Sequence, residues 1–440
     1  MLALTVLLGT LLLVAPALPV PQPLEAQLPS GLSVIVVPQP RHPVVTVQTW
    51  LLAGSVDEEP TQAGTARLLM QVLGAGGKRY GRDGVDAAVQ AVGGRNMRRV
   101  GPETAVFSTT VPAVKLELAL QIAADRLRAP QLDKDRIARA AAELSAQDQA
   151  RGVDGPERAL AVLQTLSFLT HPLRQPLDGW WYQDLPDPVR SCRSFFDAHV
   201  APARTALIVV GDVDPPRTLG LIKKVLASWT QRKAGPRRNV AELPVSGARR
   251  LEMIDTAAPG WLAVGWRTPG LTQVDALALE VLVEALADSQ GQLRGAVASP
   301  LTTNARLRYR PHAPHGLLEL WCPLELNQDP AALEAALRAT VEQKLRAVDD
   351  STLQAATARV RSAWLRQRDS AEDLALATGE NSLLRGAALS SVLDTATLDG
   401  LTPAILRQVS ERCLRPSQAS VVVVFAGGGS TTRSGDGGAR

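Results

Sequence analysis

The chain has 440 residues, 45% of them hydrophobic and 20% charged, a balance that excludes a disordered or low-complexity protein and calls for more than one folded unit. Its formal net charge of +4 is small for this length, aromatics make up only 4%, and no lysine–arginine block is interleaved with them. Nucleic-acid binding is therefore not expected.

Residues 2–15 form a short apolar run without a charge, and Pro16, Pro19, Pro21 and Pro23 break any helix after it. The run is too short to span a bilayer comfortably and has the form of a signal-peptide core. Ala15-Pro16-Ala17 has the small-x-small form of a cleavage site, and Ala26 is another candidate end. The expectation is a leader over 1–26 and export to the periplasm, with no stable membrane span after cleavage; an uncleaved leader would instead anchor the chain to a membrane.

Leu28–Pro38 reads as a turn and a β-branched strand, and 43–52 as a second strand with partial alternation. The acidic turn Asp57-Glu58-Glu59-Pro60 precedes an apolar helix from Gly64 to about residue 73, closed by glycines suited to a C-cap. A helix near 83–92 ends at Gly93-Gly94, and a strand follows over 104–111. An amphipathic helix is expected over 113–128, with Val114, Leu118, Ile122 and Leu127 on its apolar side. Residues 133–150 form a long alanine-rich helix. Phe195–Asp214 reads as a helix end, Pro202, and a buried strand closing at Gly211-Asp-Val-Asp, with a helix from about Arg217 to Trp229 after it.

Over 230–247 the composition turns to Lys, Arg, Pro and Gly, which marks a linker; its charges serve either a solvated connector or a docking patch. The same programme then restarts. A strand at 262–266 and a helix at 273–287 lead to a strand at 316–323, helices at 330–347, 351–367, around 372–387 and after Thr402, and a last strand at 419–425. This order predicts an internal duplication, with units over 27–229 and 248–426 and a low-complexity tail at 427–440.

Cys192, Cys322 and Cys413 are far apart and show no C-x-x-C spacing, which excludes a zinc knuckle or a redox motif. They are either three buried small hydrophobes or one disulfide and a free thiol. None of the five histidines lies four residues from another with a glutamate between them; His312 and His315 flank Ala-Pro and belong to a loop. There is no Gly-x-Ser-x-Gly elbow and no phosphate-cradling glycine loop.

The order of the opening elements, the segment His171-Pro-Leu-Arg and above all Phe195–Asp214 resemble the insulinase-like (M16) zinc peptidases, also called inverzincins. The resemblance implies an α+β fold of two tandem halves, each a mainly antiparallel sheet packed against helices. In that family the helix at 64–73 carries His-x-x-Glu-His: two histidines on one helix face hold Zn²⁺, and the glutamate polarises the attacking water. Here those positions are Arg67, Met70 and Gln71. A guanidinium is a fixed positive charge, a thioether moves no proton, and a glutamine is a poor neutral ligand. No zinc is expected, and no peptidase activity from this chain alone. Glu143 is the nearest counterpart of the family's third ligand; without the histidines it is expected to face solvent or pair with an arginine.

The resemblance further implies a subunit that pairs with a zinc-bearing M16 homologue around a chamber for peptide or unfolded polypeptide. The alternatives are a metallopeptidase with a rearranged site and a purely structural or assembly subunit. In two-chain members the metal-free subunit lends an arginine–tyrosine pair to its partner's active site. Arg306, Arg308, Tyr309 and Arg310, soon after the loop Ser289–Arg294, are candidates for that role; the other reading of them is a charge-guarded edge strand.

Overall fold

The computed structural model describes residues 22–81, 84–128, 130–150, 155–176, 181–230, 234–235, 237, 240–255, 259–271, 275–288, 290–293, 300–313, 315–386 and 396–427. The first sheet is built from β1 (Leu24–Gln27), β2 (Ser33–Pro38), β3 (Val44–Leu51), β4 (Arg95–Val100), β5 (Ala105–Pro112) and β6 (Thr205–Gly211), in the order β1-β2-β6-β3-β5-β4. The second contains β7 (Arg249–Asp255), β8 (Gly260–Pro269), β9 (Arg306–Arg310), β10 (His315–Leu324) and β11 (Ser420–Ala426), in the order β7-β11-β8-β10-β9. Without β1 the two sheets repeat one topology. The opening strand lies parallel to the closing one, β2 to β6 and β7 to β11, and every other pairing is antiparallel. The duplication expected from the order of elements is therefore present in the strand ladders.

The first set of helices is α1 (Thr65–Gly74), α2 (Gly84–Gln90), α3 (Leu116–Arg128), α4 (Lys134–Ala150), α5 (Glu157–Ser167), α6 (Pro188–His199) and α7 (Pro215–Val225). The second is α8 (Asp275–Leu286), α9 (Pro330–Arg346), α10 (Asp350–Arg366), α11 (Ala371–Gly379) and α12 (Pro403–Cys413). By order, α1, α3, α4, α5 and α6 correspond to α8, α9, α10, α11 and α12. Four helices start the same way: Asp187, Asp214, Asp329 and Thr402 each accept a backbone N–H of the first turn, with proline at the first helical position. Proline costs nothing there because its missing N–H would have had no partner inside the helix. No described helix is long and apolar enough to cross a membrane.

One face of each sheet is covered by its own helices. The other face is covered by a helix of the opposite half. Ala159, Leu160 and Leu163 of α5 pack on Ala263, Val422 and Val424 of the second sheet. In return, Ala371, Leu374 and Ala375 of α11 pack on Ile35, Ile208 and Val210 of the first. The approach is close at two glycines: a Cβ on Gly379 would stand 2.1 Å from the Trp50 ring, and one on Gly265 would stand 3.0 Å from Leu163. Polar ties reinforce the exchange, with Gln48 Nε2 donating to the Glu372 carbonyl at 3.2 Å and Arg158 paired with Asp255 at 3.0 Å.

Several sequence expectations need correction. Val114 is 88% exposed, because residues 113–115 form a 3-10 turn ahead of α3; Ile122 and Leu127 are buried as expected. The helix expected from about Arg217 to Trp229 ends at Val225, and the one around 372–387 ends at Gly379 and continues as a π turn over Glu380–Leu384. Three strands were not foreseen: β1, which falls largely within the expected leader, and β4 and β7, both charged; all three are edge strands. The linker is not wholly solvated: the Glu242 side chain is fully buried, accepts the N–H groups of Leu169, Thr170 and His171, and pairs with Arg267 at 2.8 Å. Those N–H groups and the Arg267 charge hold its carboxyl below the usual range despite the burial that opposes them. All three cysteines are buried free thiols. Residues 24–26 belong to β1, so cleavage after Ala26 would remove most of a paired strand and cleavage after Ala17 would keep it. Residues 1–21, the tail from 428, Ser289 and Arg294 lie outside the described residues.

Candidate functional site

The acidic turn ahead of α1 fixes where that helix begins. Glu58 accepts the backbone N–H of Ala66 at 2.6 Å and of Gly64 at 3.0 Å, occupying donors that no helical carbonyl can reach. Gly64 itself adopts φ of 88°, which a side chain would strain. Burial lifts the Glu58 carboxyl to about 7, against the lowering effect of those two N–H groups. Asp57 caps the preceding turn through Gly54 N and pairs with Arg204 at 3.0 Å. Held this way, every residue of α1 from Thr65 to Gly74 is buried.

Arg67, Met70 and Gln71 all lie on this buried helix, and each has a defined environment. The Arg67 guanidinium meets Asp148 of α4 through two parallel bonds, Nη1 to Oδ2 at 3.0 Å and Nη2 to Oδ1 at 2.5 Å. The Tyr182 hydroxyl donates to Asp148 Oδ2 at 3.2 Å, and the Arg67 guanidinium carbon stands 5.5 Å from the Tyr182 ring centre. Met70 is fully buried in the apolar cluster that includes Leu69, Leu73, Phe107 and Leu144. Gln71 Nε2 donates to Glu143 Oε2 at 2.6 Å.

Glu143 is exposed, and among the described residues it accepts from Gln71 and is paired with no arginine. Asp148, five residues further along the same helix, takes the arginine instead. The sequence offered a usable signal for it: an arginine on an apolar helix requires a carboxylate, and α4 faces α1.

Zinc does not fit these residues. The position of the first histidine holds a cation already matched by a carboxylate, the base position is a core thioether, and the second ligand position donates its amide N–H to Glu143. Among the described residues, no group of three or more His, Cys, Asp or Glu is placed to hold a metal ion. His171 and His315 meet edge to face at 5.5 Å, and His312 lies 3.8 Å from Glu103 at the seam between the sheets. Burial depresses His171 and His312 to about 4 and raises Glu103 to about 7.

The arginine–tyrosine cluster is β9, an outer strand of the second sheet. Arg308 and Arg310 converge on the fully buried Glu319 at 2.7 and 3.1 Å, Arg306 donates to the Gln290 carbonyl at 3.0 Å, and the Tyr309 hydroxyl donates to the Pro269 carbonyl at 3.2 Å. Burial raises the Tyr309 hydroxyl to about 12. Arg306, Arg308 and Tyr309 line a cavity of about 830 Å³ with Glu280, Glu284 and Trp364; among the described residues, none of α1 or α4 lines it. That cavity lies among α8, α10 and β9, the duplicates of α1, α4 and β4. The structure thus places Arg67, on α1, and Arg306–Arg310, on the duplicate of β4, in different halves and not in one site.

The scaffold is two duplicated α+β halves, with an arginine–aspartate pair joining α1 to α4 in the first. Residues 33–175 match the family model described as insulinase (peptidase family M16), and 190–358 match the peptidase M16 inactive domain. The chain belongs to the M16 peptidase family and lacks its His-x-x-Glu-His ligands. An uncharacterized zinc protease of Mycobacterium tuberculosis is 27% identical over 274 residues, 60% of this chain and 61% of the relative. The match thus spans less than two thirds of that curated relative. Among solved structures, a protease from Helicobacter pylori superposes with a TM-score of 0.83 at 19% identity, covering 92% of this chain and 100% of that one. A peptidase M16 inactive domain from Pseudomonas fluorescens gives 0.76 at 17%, covering 92% and 98%. The first half of the periplasmic protease PqqL from Escherichia coli gives 0.70 at 17%, covering 92% of both chains.

Proposed function

We propose that this chain is a non-catalytic M16 subunit that pairs with a zinc-bearing homologue and helps enclose a peptide-holding chamber. The observation that carries this reading is the Arg67–Asp148 pair: it occupies the catalytic position with a matched, bidentate interaction and leaves the rest of the scaffold folded around it. Peptide holding needs only a sheet edge, and β4 is an outer strand beside α1 whose residues alternate between exposed and half-buried. A peptide added there gains backbone hydrogen bonds without any metal. In the same reading the folded units run over 27–229 and 248–426, the chain is exported, and β9 of this subunit faces the partner's active site. The fully buried Glu319 that holds Arg308 and Arg310 would keep their guanidinium groups in place for that contact.

The test is peptide cleavage by the purified chain alone, by an intact-motif M16 subunit alone, and by the two together. The expected result is no activity from this chain, a stable complex on gel filtration, and a raised rate or altered specificity for the mixture. Zinc-dependent cleavage by this chain alone would sink the proposal. A complex with no effect on cleavage would favour an assembly role.

A further inference from the structure

The C-terminal end of α1 carries a second feature that the ion pair does not use. Arg126 Nη2 approaches the Gly74 carbonyl at 3.3 Å, and Arg136 Nη1 donates to the Gly76 carbonyl at 2.8 Å, so cations collect where the helix presents its free carbonyls. Beside them is a small cavity of about 50 Å³ lined by Gln71, Val72, Ala75, Arg136, Arg139 and Glu143. Two guanidinium nitrogens among its lining residues, Arg136 Nη2 and Arg139 Nη1, are buried and have no hydrogen-bond partner among the described residues. Arg136 and Arg139 are three residues apart on α4 and share one face.

An arginine cannot shed its charge, so a buried guanidinium N–H without an acceptor is costly until an anion or water meets it. Water supplies an acceptor but no charge. Among the described residues Glu143 is the only carboxylate lining the cavity, and one of its oxygens is engaged by Gln71. Two arginines against one glutamate leave the cavity with a surplus of one positive charge. A volume of about 50 Å³ admits a few water-sized groups, which suits one planar carboxylate and excludes a nucleotide. A carboxylate has two oxygens with which to accept from two guanidinium groups. We propose that the retired metal site has become a binding site for a single carboxylate, held by Arg136 and Arg139 beside Gln71. The site stands independently of the peptide-holding reading. A peptide as the source of that carboxylate rests on it.

The experiment titrates the full chain with acetate in chloride-free buffer by calorimetry. It then repeats the titration with chloride, and with one short peptide as its free acid and as its C-terminal amide. Acetate is expected to bind, Arg136→Gln and Arg139→Gln each to weaken it about tenfold, and Glu143→Gln to tighten it several-fold by removing a like charge without removing a donor. Glu143→Gln keeps the bond to Gln71 available, so a structural role alone would not give that gain. No acetate binding up to about 100 mM, binding unchanged in Arg139→Gln, or binding of chloride but not acetate would overturn the proposal. Acetate binding with equal affinities for the acid and amide peptides would support the site and remove the peptide as its ligand.

Discussion

Replacing Asp148 by alanine tests whether the ion pair is what holds the retired site together. The substitution takes the Asp148 carboxylate from the Arg67 guanidinium, whose side chain is 8% exposed, and takes an acceptor from Tyr182. Breaking a buried pair from one side costs about 3–5 kcal/mol, because the remaining charge stays desolvated. The Asp148 side chain is 23% exposed, so water can reach part of the vacated space. The expected loss is therefore about 2–4 kcal/mol. The double variant Arg67→Met, Asp148→Ala removes both charges and puts a flexible apolar chain in a largely apolar setting. It should unfold within about 1 kcal/mol of the wild type. Urea unfolding of the four proteins, with midpoints compared at constant m, closes the double-mutant cycle. A loss below about 0.5 kcal/mol for Asp148→Ala, or a double variant less stable than Asp148→Ala, would show that the pair is incidental.

Converting Arg67, Met70 and Gln71 to His, Glu and His should be necessary for zinc binding and should destabilise the apo protein by about 3 kcal/mol or more, because Met70 is a core side chain and its replacement buries a carboxylate; metal analysis and thermal melts with and without zinc check both parts. Gly379→Ala drives a methyl into the Trp50 ring and should cost about 3 kcal/mol or more in urea unfolding, whereas Gly220→Ala, on an exposed helix position with open space, should gain about 0.5–1 kcal/mol. Glu58 is held at about 7 in the folded chain, above its usual range, so the folded state binds that proton more tightly than the unfolded one. Its contribution to stability is full below about pH 4.5 and is lost as pH rises through 7, by up to about 3 kcal/mol. Glu103 acts in the same direction, while His171 and His312, held near 4, oppose both by favouring the folded state as pH rises from about 4 to 6.5. Glu58→Gln isolates its share: the wild type should lose stability relative to the variant as pH rises from 4.5 through 7, and a constant difference would refute it.

The strands that could be read from sequence are those whose apolar residues have one job. Ser33–Pro38, Val44–Leu51, Thr205–Gly211 and Ser420–Ala426 are β-branched runs buried on both faces or nearly so, and periodicity finds them. Arg95–Val100 and Arg249–Asp255 were illegible because an edge strand needs charge more than it needs an apolar face. Val114 misled for a related reason: its spacing fits a helix stripe, but it sits in the turn before the helix begins. At the site, the substitution at 67, 70 and 71 was visible as residue types. Its answer at Asp148 was not, because the two partners are 81 residues apart and only the packing of α1 on α4 brings them together.

The crossed helices impose an order on synthesis. On the ribosome, the strand carrying Val210 is complete long before residues 371–379 leave the exit tunnel, so that face of the early sheet waits in water, Trp50 included. A chaperone able to shield an open β surface would serve that interval. A message cut short before α11 should deliver aggregated polypeptide in place of a soluble half-length product.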